Sequence, residues 1–140
     1  MTLDKLFLSL HVLGALMWIG SLFAVMAFLE AVADEPDAAA RGRLLKHLRA
    51  AAIVPNVGAG IAIVFGAHWL FKFKLYEVRY LQLKLVLVAI VIAIHGMMQI
   101  KARRARKGEP FTAPVPALKP ALSITALGII LFVVSKWPLS

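Results

Sequence analysis

Four apolar stretches, Leu6 to Leu29, Ile53 to Phe71, Leu85 to Ile100 and Ala121 to Val134, are separated by charged segments, and this alternation limits the available folds more than any other feature. A soluble domain of 140 residues with 61% hydrophobic side chains has too little interior to hide them. The bilayer must then form the outer shell of the core. Crossing about 30 Å of hydrocarbon takes roughly 20 apolar residues, which the first two stretches supply and the last two reach with their flanks. Lys84, Lys119 and Lys136 sit where a lysine can snorkel. The expectation is an all-α polytopic membrane protein, a single four-transmembrane-helix bundle over residues 1–140 with spans at about 6–29, 53–71, 81–100 and 121–137. The first stretch is too long for the apolar region of a cleavable signal, so it is expected to remain as a helix.

Sixteen Lys and Arg against seven Asp and Glu give a net charge of +9. The basic residues border apolar spans, above all Lys101, Arg103, Arg104, Arg106 and Lys107, which favours membrane orientation and anionic lipid over nucleic acid. Loops 30–52 and 101–119 are accordingly expected in the cytoplasm and the termini outside, with a bacterial inner membrane as the setting. The absence of cysteine removes disulfides, thiolate metal sites, iron–sulfur clusters and covalent haem attachment. No Ser–His–Asp arrangement, carboxylate pair or phosphate-cradling loop is present, so hydrolysis and phosphoryl transfer are poor candidates.

Local signals place the elements. Thr2 is set to cap the first helix, with Asp4 in its first turn, and Asp34-Glu35-Pro36-Asp37 reads as a turn. Ala38 to Ala52 is then a basic, alanine-rich helical run leading into the second span, with Pro55 near its cytoplasmic entrance, where a kink is tolerable if a neighbour or water satisfies the freed carbonyl. The third helix is expected from Tyr80 to Arg106, ended by Lys107-Gly108-Glu109-Pro110. Pro114, Pro116 and Pro120 predict a stiff, extended approach to the fourth.

Ionisable residues within the spans are few, and each is a functional candidate because burying a charge in hydrocarbon is costly. His11, Gly14 and Trp18 share one face of the first helix, and Lys84, Val88, Val91 and His95 share one face of the third. Pro55, Ala59, Ala62 and Gly66 form a small-residue stripe on the second, which permits close backbone approach or leaves room for a flat ligand. At a rise of about 1.5 Å per residue, His11 lies roughly 8 Å and Lys84 roughly 5 Å below the outer boundary, while Trp18 and His95 lie roughly 18–21 Å deep. Two layers follow: His11 with Lys84, and Trp18 with His95. This offset weighs against His11 and His95 as opposite axial ligands of one haem lying parallel to the membrane.

His11 and His95 each read as a haem or metal ligand, or as a buried histidine hydrogen-bonded to a neighbouring helix. Lys84 either snorkels or binds a propionate of a tetrapyrrole. His68, beside Trp69, reads as an interfacial anchor and His47 as a headgroup or solvent residue. Met17, Met26, Met97 and Met98 lack metal-binding spacing and read as packing residues.

Leu10-His11-Val12 through Trp18-Ile19-Gly20, Pro55 and Gly66, Tyr80-Leu81-Gln82-Leu83-Lys84-Leu85-Val86-Leu87-Val88 with His95-Gly96, and Phe132-Val133-Val134-Ser135-Lys136-Trp137 together resemble the HemJ family of four-helix membrane proteins and the related CopD-type membrane domains. The resemblance spans essentially the whole chain. It implies a non-covalently bound haem b and, for HemJ itself, oxidation of protoporphyrinogen IX to protoporphyrin IX. Carried over, His11 is the expected axial ligand, Lys84 an anion contact, and His95 a second ligand or redox-path residue, with Trp18 in the same cofactor region. Ser21 to Leu29 and Tyr80-Leu81-Gln82 depart from the family pattern, where an arginine and a histidine that could handle substrate are missing, which implies a divergent relative.

Three functions therefore stand at this point. They are a haem b redox protein with a tetrapyrrole and a redox partner, a CopD-like copper transport protein, and an accessory subunit of a larger membrane complex. A homo-oligomer is compatible with each.

Overall fold

The computed structural model describes residues 2–136, with side chains as far as Phe132. It is helical, with no strand among the described residues. Helix α1 spans Leu3–Asp34, α2 Ala38–Ala51, α3 Ile53–Lys72, α4 Arg79–Arg106 and α5 Leu118–Lys136, with a short 3-10 turn at Leu75–Glu77. Three helical runs, α1, α2 continued into α3, and α4, are long and apolar enough to cross a membrane. The described apolar part of α5, Leu118–Phe132, is shorter. The expected end of the fourth span, Trp137, lies outside the described residues.

The helix ends follow from local chemistry. Thr2 accepts a hydrogen bond from the Lys5 N–H at 3.4 Å, and Asp37 accepts one from the Ala40 N–H at 2.8 Å to start α2. Pro55 follows a break between two helices, at the entrance of the second span. It sits in the first turn of α3, where a missing N–H is harmless, and separates α2 from α3 at Ala52. Gln99 of α4 donates to the Ala52 carbonyl at this break, 3.0 Å away. Pro120 likewise lies inside the first turn of α5 and not in the extended approach, because proline's fixed φ suits a helix start.

Helix α4 ends in a Schellman motif. Gly108 takes φ +70°, its N–H bonds to the Ala105 carbonyl, and the Glu109 N–H reaches back to Arg104 at 2.9 Å. Gly108→Ala is expected to destabilise the protein by about 1 kcal/mol, since a Cβ is disfavoured at this φ. The effect is measurable as a lower midpoint in denaturant-detergent unfolding.

Helix α1 is the centre of the bundle. It packs along α3, with α2 across its far end, while α4 packs against α1 and α5. Helices α3 and α4 do not run along one another and are joined by side chains. An exposed ion pair closes each end of the bundle: Lys72 to Asp4 at 2.7 Å and Lys119 to Glu30 at 2.7 Å. Such partly exposed pairs contribute at most about 1 kcal/mol each in water.

Packing is uneven along the bundle axis. Trp18, Leu22, Val25, Met26, Leu29, Leu48, Met98 and Leu122 build a core toward the basic loops. At the opposite end no residue of 3–13, 63–72, 79–90 or 126–132 is buried. The outer surface is apolar, with Leu16, Val64 and Ile124 at 63%, 63% and 70% exposure, as expected of helices that face lipid on their outside.

Candidate functional site

The small residues of α3 set the geometry. A Cβ on Gly58 would lie 2.5 Å from the Trp18 amide nitrogen and 2.9 Å from the Gly14 carbonyl. One on Gly14 would lie 2.6 Å from the Ala62 nitrogen. The two main chains are therefore in direct contact, and the contact face of α3 is Pro55, Gly58 and Ala62, with Ala59 only half-buried beside it. Along this length the stripe is filled by the α1 backbone, leaving no room for a flat ligand.

One turn further out the stripe changes use. Gly66 faces the His11 ring, so that a Cβ there would meet Cε1 at 2.8 Å and Nδ1 at 2.9 Å. The ring is held by Nδ1, which donates to the Ala62 carbonyl at 2.7 Å. A carbonyl only accepts, so this bond places the proton of a neutral imidazole on Nδ1 and leaves the Nε2 lone pair. His11 lies at the boundary between the tight core and the loosely packed half.

Lys84 is half-buried on α4, in the same outer half of the bundle as His11. No hydrogen bond or ion pair joins it to another described residue. The indole N–H of Trp69, three residues beyond Gly66 on α3, is also buried without an acceptor among the described residues. A buried unsatisfied donor of this kind costs about 1–3 kcal/mol.

The deeper layer is different. Trp18 Nε1 donates to His95 Nδ1 at 3.0 Å. An indole only donates, so His95 carries its proton on Nε2 and donates it to Asn56 Oδ1 at 3.0 Å. Three helices are tied by this chain, and both ring nitrogens of His95 are occupied. Ligation by His95 would require giving up one of these bonds. Asn56 is not ionisable and escapes a search for intramembrane charge; its signal is an amide in an otherwise apolar helix start. Asn56→Ala and Trp18→Phe are each expected to lower stability by about 0.5–1.5 kcal/mol, with coupling through His95 detectable in a double-mutant cycle.

The remaining candidates keep bland roles. His68 is exposed and packs edge-on against Phe7 at 4.9 Å, and His47 is exposed and stacks on Phe28 at 6.1 Å. Met26 and Met98 belong to the core. Among the described residues no three His, Asp, Glu or Cys side chains converge as a metal cage.

The fold and site together define a helical bundle with membrane-length apolar helices and, at its loosely packed end, a half-buried imidazole, His11, whose Nε2 bonds to no described residue. Comparison with protein-family models, characterised proteins and solved structures gives no match.

Proposed function

We propose that this chain is an integral membrane protein that binds haem b through His11 and does redox work, either as a divergent relative of HemJ-type protoporphyrinogen IX oxidases or as an electron-transfer module. The observation that carries the reading is the Nδ1 bond from His11 to the Ala62 carbonyl. Such a bond fixes the ring and raises the basicity of Nε2, the arrangement usual for metal-binding histidines. A porphyrin supplies four equatorial nitrogens, so one protein ligand is sufficient, whereas a copper site would need several donors brought together. This favours haem over a CopD-like copper function.

Bound haem would supply an iron that accepts and releases one electron. The residues of this chain do the rest. His11 orients the group, Lys84 offers an unpaired ammonium to a propionate, and Trp69 offers a free indole donor in the same half. The outer parts of α3 and α4, residues 63–72 and 79–90, contain no buried residue, which supports lateral access to His11. The tight core beneath, beginning at Gly14 and Ala62, excludes water from the basic end. Basic loops beside the spans support a cytoplasmic setting for that end.

A second reading is supported by His95. Its two hydrogen bonds are those of a structural residue in an accessory subunit, and the bond from His11 to Ala62 fits that reading as well. The two readings part at Nε2 of His11. Absorption spectra of the detergent-purified protein, oxidised and dithionite-reduced, separate them: haem binding gives a Soret band with reduced α and β bands. If none appears after expression with ample haem, the redox reading fails, and copper titration comes before the accessory role is accepted.

A further inference from the structure

At the core end, α2 and the end of α4 flank an open cleft of about 470 Å³ lined by Gly42, Leu45, Lys46, Arg49, Arg103, Arg106 and Lys107. Five of these side chains are cations, and they come from two segments far apart in sequence. No carboxylate lines the cleft, and none of the five pairs with a described acidic residue. Asp34 and Glu109, at the same end, neither line the cleft nor pair with its cations, and three other acids have partners of their own. Asp37 caps α2, the Glu35 carboxylate accepts the Asp37 N–H at 3.0 Å, and Glu30 pairs with Lys119. Helix dipoles account for Arg49, Arg103 and Arg106 in the last turns of α2 and α4, but not for Lys46 and Lys107 facing the same space. Orientation by basic loops requires charge at this end, yet it does not require the charge to converge on one cleft.

We infer that this cleft is a binding site for the phosphate headgroup of an anionic phospholipid. Lipid is favoured over a free anion by position. Leu45 lines the cleft, and buried Leu48, Ala102 and Ala105 lie on the same two helices immediately beside it, so the cationic lining stands directly on the apolar span. Acyl chains could then run along the bundle while two or more cations share the phosphates. Basic pockets between transmembrane helices on the cytoplasmic side hold lipids of this charge. Gly42 leaves the α2 backbone open at the cleft, with nothing within 4 Å of the position a Cβ would take.

The test uses the full chain in phosphatidylcholine nanodiscs with and without a minor fraction of cardiolipin, reading retained lipid by native mass spectrometry after detergent extraction. Wild type is expected to retain cardiolipin selectively. Arg49→Gln/Arg103→Gln and Lys46→Gln/Lys107→Gln should each weaken retention about tenfold or more. Arg43→Gln/Arg104→Gln removes the same charge from the same end but outside the cleft, and should leave retention nearly unchanged. Equal losses in all three double variants would mean a diffuse field and overturn the site. Displacement of cardiolipin by inorganic phosphate at comparable concentration would mean a free-anion site and overturn the lipid assignment. All six positions are exposed, and unchanged helical circular dichroism confirms that the variants remain folded.

Discussion

Gly58→Leu is expected to abolish the native bundle. The new Cβ would stand 2.5 Å from the Trp18 nitrogen, 2.9 Å from the Trp18 Cα and 2.9 Å from the Gly14 carbonyl. All three are main-chain atoms of α1, so no rotamer change can relieve the contact, and the helices must separate. Overpacking in a core usually costs about 1–3 kcal/mol, and here it also opens the seam that positions His11 and Trp18. Loss of cooperative unfolding, or no recoverable protein, is the expected outcome. Gly60 and Gly96 have nothing within 4 Å of a Cβ, so Gly60→Ala and Gly96→Ala should be neutral or stabilise by up to about 1 kcal/mol. Unfolding midpoints in mixed detergent compare the three variants. A Gly58→Leu protein as stable as Gly60→Ala would show that the α1–α3 contact is looser than described.

His11→Ala is the second large effect. Removing an outer partner of a metal ligand already weakens affinity by roughly 10–100-fold, so loss of the ligand itself should weaken haem binding by more than about 100-fold. Gly66→Leu approaches the same residue from behind. Its side chain would press on Cε1 and Nδ1 of the ring and displace it from the Ala62 carbonyl. A shifted Soret band or partial haem loss is expected, with His11 itself intact. His95→Leu should retain haem but unfold more easily, because it leaves the Trp18 indole and the Asn56 amide unpaired.

Much of the fold is legible in the sequence because apolar length, caps and breakers are local. Thr2, Asp37, Pro55 and Gly108 each mark a boundary, and helical rise alone puts Trp18 and His95 at one depth before any contact is seen. The facing of α3 is less legible. The stripe Pro55, Ala59, Ala62 and Gly66 is close to the true face, but spacing alone cannot choose between adjacent Gly58 and Ala59. That choice depends on Gly14, on another helix, which lets the backbone approach only at Gly58. Asn56 and Gln99 are invisible to a search for charge, since each acts through a partner on another helix. The same holds for Glu30 with Lys119 and Asp4 with Lys72, whose partners lie 89 and 68 positions apart. His95 shows the limit for the site itself. Its place in the deep layer follows from spacing, but the occupation of both its nitrogens follows only from tertiary contacts with Trp18 and Asn56.

The most direct measurement is a haem titration of wild type, His11→Ala and His95→Leu in detergent, followed by Soret absorbance with circular dichroism as the folding control. Expected is a Soret band in wild type and in His95→Leu, and none in folded His11→Ala. Haem retained by His11→Ala with an unchanged spectrum, or no binding by wild type, would contradict ligation through His11.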